Sequence, residues 1–320
     1  MRRLPRLGCA LALLACVGAA TLAGEPRSVS EAFVTNQTDD SLSVVSLADL
    51  KVGETLKIGG KPAGIAMSGD GKLAFLTSPE GKEVVVVNAG ARKIVRRIKI
   101  GEGPLGIAAH PTNGRIYVAD WYTHKLSVVD PLAGTTLAEV AVGDSPSGVA
   151  VTPNGRLVLT ADRDSNAVSF IDVETNARIG GVTVGERPFG ITIDNDGARA
   201  YTANVGSDDV SVIDIATRKV VATVKVERRP YAIALAGAHA FVTNQYTSTV
   251  SVIDLAGLKV VKSIPVGDHP EGIAADPAGK YVYVACWFDN VLMRIDSDKL
   301  AVDGEVAVGD GPRAFGLFLR

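Results

Sequence analysis

Cysteine, histidine and aromatic residues are all scarce in this 320-residue chain, and each shortage closes off a class of chemistry. Of three cysteines, Cys9 and Cys16 sit in an apolar N-terminal leader, so its removal leaves only Cys286 and no internal disulfide can form. No C-x-x-C-H occurs, which excludes covalent c-type haem, and there is no P-loop, no G-x-G-x-x-G after a strand and no G-x-S-x-G elbow. The four histidines, His110, His124, His239 and His269, lie in separate hairpins without metal-ligand spacing and read as turn residues. Residues 194–197, D-N-D-G, open like a calcium loop, but the twelfth position is Val205 where such a loop requires Glu. No metal is expected. Cys286 closes a Y-V-A-C run with no base beside it and reads as a small, half-buried hydrophobe.

A long hydrophobic run is also absent beyond the leader. There Arg2, Arg3 and Arg6 precede an apolar stretch ending in small residues, and Thr21 and Ala23 are placed for cleavage before Gly24. This is the pattern of a secretory signal peptide over residues 1–23, with one domain over 24–320. A permanent span needs about 20 apolar residues, so no transmembrane span is expected. The L-L-A-C stretch ending at Cys16 resembles a lipoprotein processing box, the alternative to release. A periplasmic or secreted, monomeric protein is expected. The formal charge of −2 falls to about −5 without the three leader arginines, which disfavours nucleic acid as a partner.

What the chain does contain is a repeat. Short runs rich in Val, Ile and Ala are punctuated by Gly, Pro and Asn, too short and too β-branched for helices. The residue closing each Y-V-A-D-like run is Asn36, Ser78, Asp120, Asp162, Asn204, Asn244 or Cys286, at spacings of 42, 42, 42, 42, 40 and 42. The proline of each G-x-x-P loop, from Pro62 to Pro312, keeps the same phase. Seven units of about forty residues, each with four strands, predict a seven-bladed all-β propeller with four-stranded antiparallel blades. The chain enters in a second strand at residues 33–36 and leaves in a first strand at 314–319, so both ends should share one closing blade. The small inner runs at 106–109 and 148–151 suit strands converging on an axis. Asp130, Asp172, Asp214, Asp254 and Asp296 recur at third-strand ends and should accept N–H bonds in the following turn.

F-V-T-N at residues 33–36 and 241–244, Y-T-A-N at 201–204 and the S-V-V-D or S-V-I-D strands that follow resemble the YVTN family of β-propellers over about residues 31–320. Propellers of this kind are similar to the haem d1 domain of nitrite reductases and to periplasmic propellers associated with quinoprotein alcohol oxidation. Fold alone does not choose among such functions.

Departures from the repeat are therefore the candidate site. The loops before each first strand and those after each second strand share one face. There the pairs after the YVTN slot include Trp121-Tyr122, Gln245-Tyr246 and Trp287-Phe288, holding both tryptophans of a chain only 5% aromatic. Residues flanking the loop prolines add Arg187, Phe189, Arg229, Tyr231, His269, Glu271 and Arg313. Such rings suit an interface, and the arginines could serve an anionic group. The expected function is a non-catalytic module binding a partner protein or small ligand on this face, accessory to periplasmic redox or metabolite handling, with no cofactor. The alternative is an electron-transfer or oxidoreductase-like propeller holding a non-covalent haem or quinone over the channel.

Overall fold

In the computed structural model, which describes residues 29–320, four-stranded antiparallel sheets repeat around a central channel. The signal peptide expected over 1–23 and the Cys16 processing box lie outside the described residues. Blade 2 shows the plan: Gly64–Met67 innermost, then Leu73–Ser78, Glu83–Asn88 and Lys93–Lys99 at the rim. Blades 3 to 7 repeat it from inner strands Pro104–Ala109, Pro146–Val151, Pro188–Ile193, Pro230–Ala236 and Pro270–Ala275. Among the described residues, no helix is long and apolar enough to cross a membrane.

The burial pattern follows from the layering. Second and third strands such as Leu73–Ser78 and Glu83–Asn88 are buried at nearly every residue, because neighbouring blades cover both faces. Their sequences accordingly run apolar without alternation. Outer strands such as Lys93–Lys99 are largely exposed and carry Lys and Arg, which blunts their open edges. A register shift recurs between the third and fourth strands at Val44/Val45, Val86/Val87, Val128/Val129, Phe170/Ile171, Val212/Ile213, Val252/Ile253 and Arg294/Ile295. A bulge there adds twist at the same radius in every blade.

Close approach at the axis explains the small inner residues. A Cβ on Gly106 would lie 1.8 Å from the Ser147 carbonyl oxygen, and one on Gly148 would lie 2.4 Å from that of Phe189. Threonines of the YVTN slot stitch neighbours together: Thr35, Thr77 and Thr243 donate to the carbonyls of Ala63, Leu105 and Glu271, each on or directly before the next blade's inner strand, at 2.7–2.9 Å. The third-strand aspartates hold the following turns as expected, Asp130 accepting from Leu132 and Ala133, Asp172 from Thr175, and Asp296 from Asp298 and Lys299.

Blade 1 is built from both ends of the described chain. Its strands Glu31–Asn36, Ser41–Ser46 and Lys51–Lys57 lack an inner strand of their own, and the C-terminal segment supplies it through antiparallel bridges Ala32↔Leu319 and Asn36↔Pro312. Its central part, Phe315–Leu317, also leans across to pair in parallel with Gly64–Met67 of blade 2. Gly316 permits this, at φ +129° and with a hypothetical Cβ only 2.2 Å from the Ile65 oxygen.

Candidate functional site

The residue after each loop proline lies two positions before an inner-strand Ile, Val or Phe, and in blades 3 to 7 the pairing register shifts between the two. Three rings from these positions meet in one cluster. Phe189 lies 4.4 Å from Tyr231 and 5.1 Å from Phe315, and Tyr231 lies 5.6 Å from Phe315, measured between ring centroids. All three are buried, together with Leu105 and Ala63, and they stop the channel like a plug. Trp121 packs on its edge, 6.2 Å from Phe189, with the Arg163 guanidinium over its indole at 5.3 Å. Phe189 and Tyr231 are thus interior rings and not the rim anchors expected from sequence, and Trp121 is half-buried.

A polar chain joins this plug to the blade closure. Arg313 donates from Nε and Nη2 to the Tyr231 hydroxyl at 3.0 and 2.6 Å, donates from Nη1 to Gln37 Oε1 at 3.1 Å, and lies 3.2 Å from Glu271 Oε2. Glu271 Oε1 accepts from Gln245 Nε2 at 2.8 Å, and Gln245 Oε1 accepts from Arg229 Nε at 2.7 Å. Blades 6, 7 and 1 are tied in this way. Burial pushes the Glu271 carboxyl up despite the pull of Arg313, and burial likewise raises the Tyr231 phenol. The donors of Arg313 are committed inside the protein, which removes it, with Glu271, from any surface reserved for an anion. From sequence Gln245 figures only as the neighbour of Tyr246 and Gln37 is not a candidate; their place directly after the two F-V-T-N runs was the available signal.

The exposed part of the face is narrower. Tyr246 (51% exposed) and Phe288 (61% exposed) flank the half-buried His269, whose ring is 5.6 Å from the first and 4.8 Å from the second. Arg228 and Arg229 lie over the Tyr246 ring at 5.6 and 4.9 Å. Burial lowers the His269 pKa, outweighing the pull of Asp268. His269 and Arg229 occupy the left-handed region, at φ 54° and 57°, as does the exposed Arg187 at 55°. The backbone N–H of Arg187 donates to Asn166 Oδ1 and that of Arg229 to Asp208 Oδ1, a clasp that fixes each loop. Trp287 is half-buried beside Phe288. Tyr122, 69% exposed, stands alone on blade 3 over Gly103.

The remaining candidates of the sequence are structural. His110 Nδ1 accepts the N–H groups of Thr112 and Asn113, and His124 Nδ1 that of Ser145. Asp194 accepts from Ala198 and Arg199, closing a turn. Burial raises the Cys286 thiol to about 12. Among the described residues no group of three or more His, Cys, Asp or Glu could hold a metal ion.

Fold and repeat together define a seven-bladed β-propeller with an aromatic cluster packed at its loop face. The profile of the YNCE-like beta-propeller family matches residues 14–114. Among solved structures, a hydrazine synthase chain from Kuenenia stuttgartiensis aligns over 80% of this chain and 89% of its own, at 24% identity and a TM-score of 0.72. A functionally unknown protein from Desulfotomaculum acetoxidans aligns over 88% of this chain and 98% of its own, at 18% identity and a TM-score of 0.78. At such identities the likeness concerns the fold. No curated protein matches the chain.

Proposed function

We propose that this propeller is a non-catalytic binding module, exported from the cytoplasm, that docks a partner protein or small ligand on its loop face through Tyr246, His269 and Phe288 with Arg228 and Arg229. The observation that carries this reading is the continuous ladder of partly exposed rings across blades 6 and 7, capped by two guanidinium groups. Aromatic and Arg side chains supply large contact area with polar handles, and they dominate binding hot spots. A role as an accessory to periplasmic redox or metabolite handling belongs to the same proposal.

The rival reading sets a haem or quinone over the channel. At its loop-face mouth Phe189, Tyr231 and Phe315 pack on one another and His269 is wedged between Tyr246 and Phe288, so the residues there do not fit such a group. The visible spectrum of protein purified from its native compartment tests this, and a stoichiometric chromophore would restore the rival.

The docking reading is tested by affinity capture from periplasmic extract with wild type, Tyr246→Ala, Phe288→Ala and Glu80→Ala. A specific partner should be lost with the first two variants and kept with the third. Equal capture by all four would overturn the assignment.

A further inference from the structure

The arginines at one end of the ring ladder carry charge that nothing in the chain answers. Arg228 and Arg229 both lie over Tyr246, yet among the described residues neither forms an ion pair. The Arg229 Nε–H goes to the neutral Gln245, and the Arg228 guanidinium makes no hydrogen bond among those residues. The acids around them are engaged elsewhere. Glu227 accepts the hydroxyls of Thr249 and Ser263, each at 2.6 Å, Asp208 accepts the Arg229 backbone N–H at 2.8 Å, and buried Glu271 pairs with Arg313. Asp268 stands beside His269 instead, 3.9 Å from its Nδ1. Like charges gathered without a counter-charge raise the energy of the free protein, and stacking on the ring holds both guanidinium groups ready for a carboxylate.

We propose that the partner docked on this ladder is a protein segment carrying carboxylates beside apolar side chains, an inference that rests on the loop-face reading and narrows it to one class of partner. The carboxylates pair with Arg228 and Arg229, and the apolar side chains cover Tyr246 and Phe288. The shape of the face selects a protein over a small acid. Both rings are exposed, and Phe189, Tyr231 and Phe315 pack on one another at the channel mouth. Small-molecule sites are concave and bury most of their ligand, whereas open aromatic and Arg surface is what protein interfaces use. The charge pattern disfavours a nucleic acid. Its evenly spaced phosphates would meet the exposed Glu186, Asp268 and Asp289 of the same face, on a chain of net negative charge. Discrete carboxylates can be set on the arginines alone.

The probe is a fluorescein-labelled peptide of about 12 residues, half Glu and half Leu, which spans roughly 40 Å when extended. It is titrated with the full chain by fluorescence anisotropy, beside a counterpart with Lys in place of Glu. Saturable binding of the acidic peptide alone is expected, weakened about tenfold or more by Arg228→Glu and by Tyr246→Ala. Both side chains are exposed, so the thermal midpoint should hold. Binding should also weaken as NaCl rises from about 0.01 to about 0.15 M, which shortens the screening length from about 30 to about 8 Å. Lys93→Glu makes a like charge change on the exposed outer strand of blade 2 and should leave binding unchanged. Failure of the acidic peptide to bind, equal binding of the basic one, or equal losses in Arg228→Glu and Lys93→Glu would each overturn the acidic partner. The docking face itself would still stand or fall by capture with Tyr246→Ala and Phe288→Ala. Binding that survives Tyr246→Ala would place the peptide off the ladder and overturn the proposal as well. Displacement by an oligodeoxythymidylate at equal concentration would assign the arginines to phosphate, and displacement by citrate in that range would make the ligand a small acid; either would overturn it.

Discussion

Removing residues 314–320 should damage this protein far more than trimming an ordinary tail. The segment buries Phe315 and Phe318, and a fully buried Phe contributes about 1.5–3 kcal/mol through its apolar area. It also carries backbone bonds from Ser30 and Glu31 to the Arg320 oxygen, from Phe33 to that of Phe318, and from Arg320 to that of Glu31. At about 1 kcal/mol net each, these add roughly 3–4 kcal/mol. The Arg320–Glu31 ion pair and the Arg320 Nε bond to the Gly71 oxygen go too, as does the plug contact of Phe315 with Phe189 and Tyr231. The sum, about 6–10 kcal/mol, is comparable to the entire stability of a typical domain. The deletion also opens the inner edge of Glu31–Asn36, inviting intermolecular pairing. The truncated chain should therefore be unfolded or aggregated at 25 °C by far-UV circular dichroism and size exclusion. Phe318→Ala alone should remain folded with a midpoint lowered by several degrees, in line with about 3–5 kcal/mol for such a truncation. A thermal midpoint for the deletion within a degree or two of wild type would refute the shared-blade closure.

Three further outcomes follow from the same geometry. Gly106→Val should destabilise by about 1–3 kcal/mol or more in urea titration, because its Cβ meets the Ser147 oxygen at 1.8 Å, whereas Gly53→Ala, with the Val44 oxygen at 3.8 Å, should be near neutral. Asp120 accepts four backbone N–H bonds, from Glu102 and Gly103 on one oxygen and from Tyr122 and Thr123 on the other. Burial raises its pKa but those bonds outweigh it and the net shift is downward, so the carboxylate stabilises the fold above the ordinary carboxylate range and loses that contribution as pH falls through the lowered value. Asp120→Asn, which turns an NH₂ toward two N–H groups, should cost about 2 kcal/mol at pH 7 and progressively less as pH falls below the ordinary carboxylate range, read from midpoints in an acid titration. On the loop face, Phe288→Ala should weaken a captured partner by about 2 kcal/mol, the hot-spot scale, while the thermal midpoint stays put; a weakening no greater than that of Glu80→Ala would count against it.

The blades were legible because Gly, Pro and Asn mark every turn, and two markers keep one phase from Asn36 to Cys286 and from Pro62 to Pro312. The glycines near the axis and the turn-closing aspartates were legible too, each being a local demand of strand convergence or turn chemistry. The layout of the face was less so. Phe189, Tyr231 and Glu271 sit beside loop prolines and resemble rim residues, yet each opens an inner strand, and the convergence of those strands buries all three. The pairing of Arg313 with Tyr231 joins positions 82 apart, and only closure of the ring brings them together. Trp287 and Phe288 both lie in the turn after the strand Tyr281–Cys286, yet the first is half-buried and the second open, a difference of side-chain direction that the sequence does not print.

The docking surface itself is tested most directly by site-specific photo-crosslinking in intact cells. A benzophenone side chain placed at Phe288, and in a second strain at Glu80, reports what each position touches before any extraction. A discrete, saturable adduct from position 288 with none from position 80 is the predicted result. No adduct at 288, or the same adducts at both positions, would contradict a binding face on blades 6 and 7.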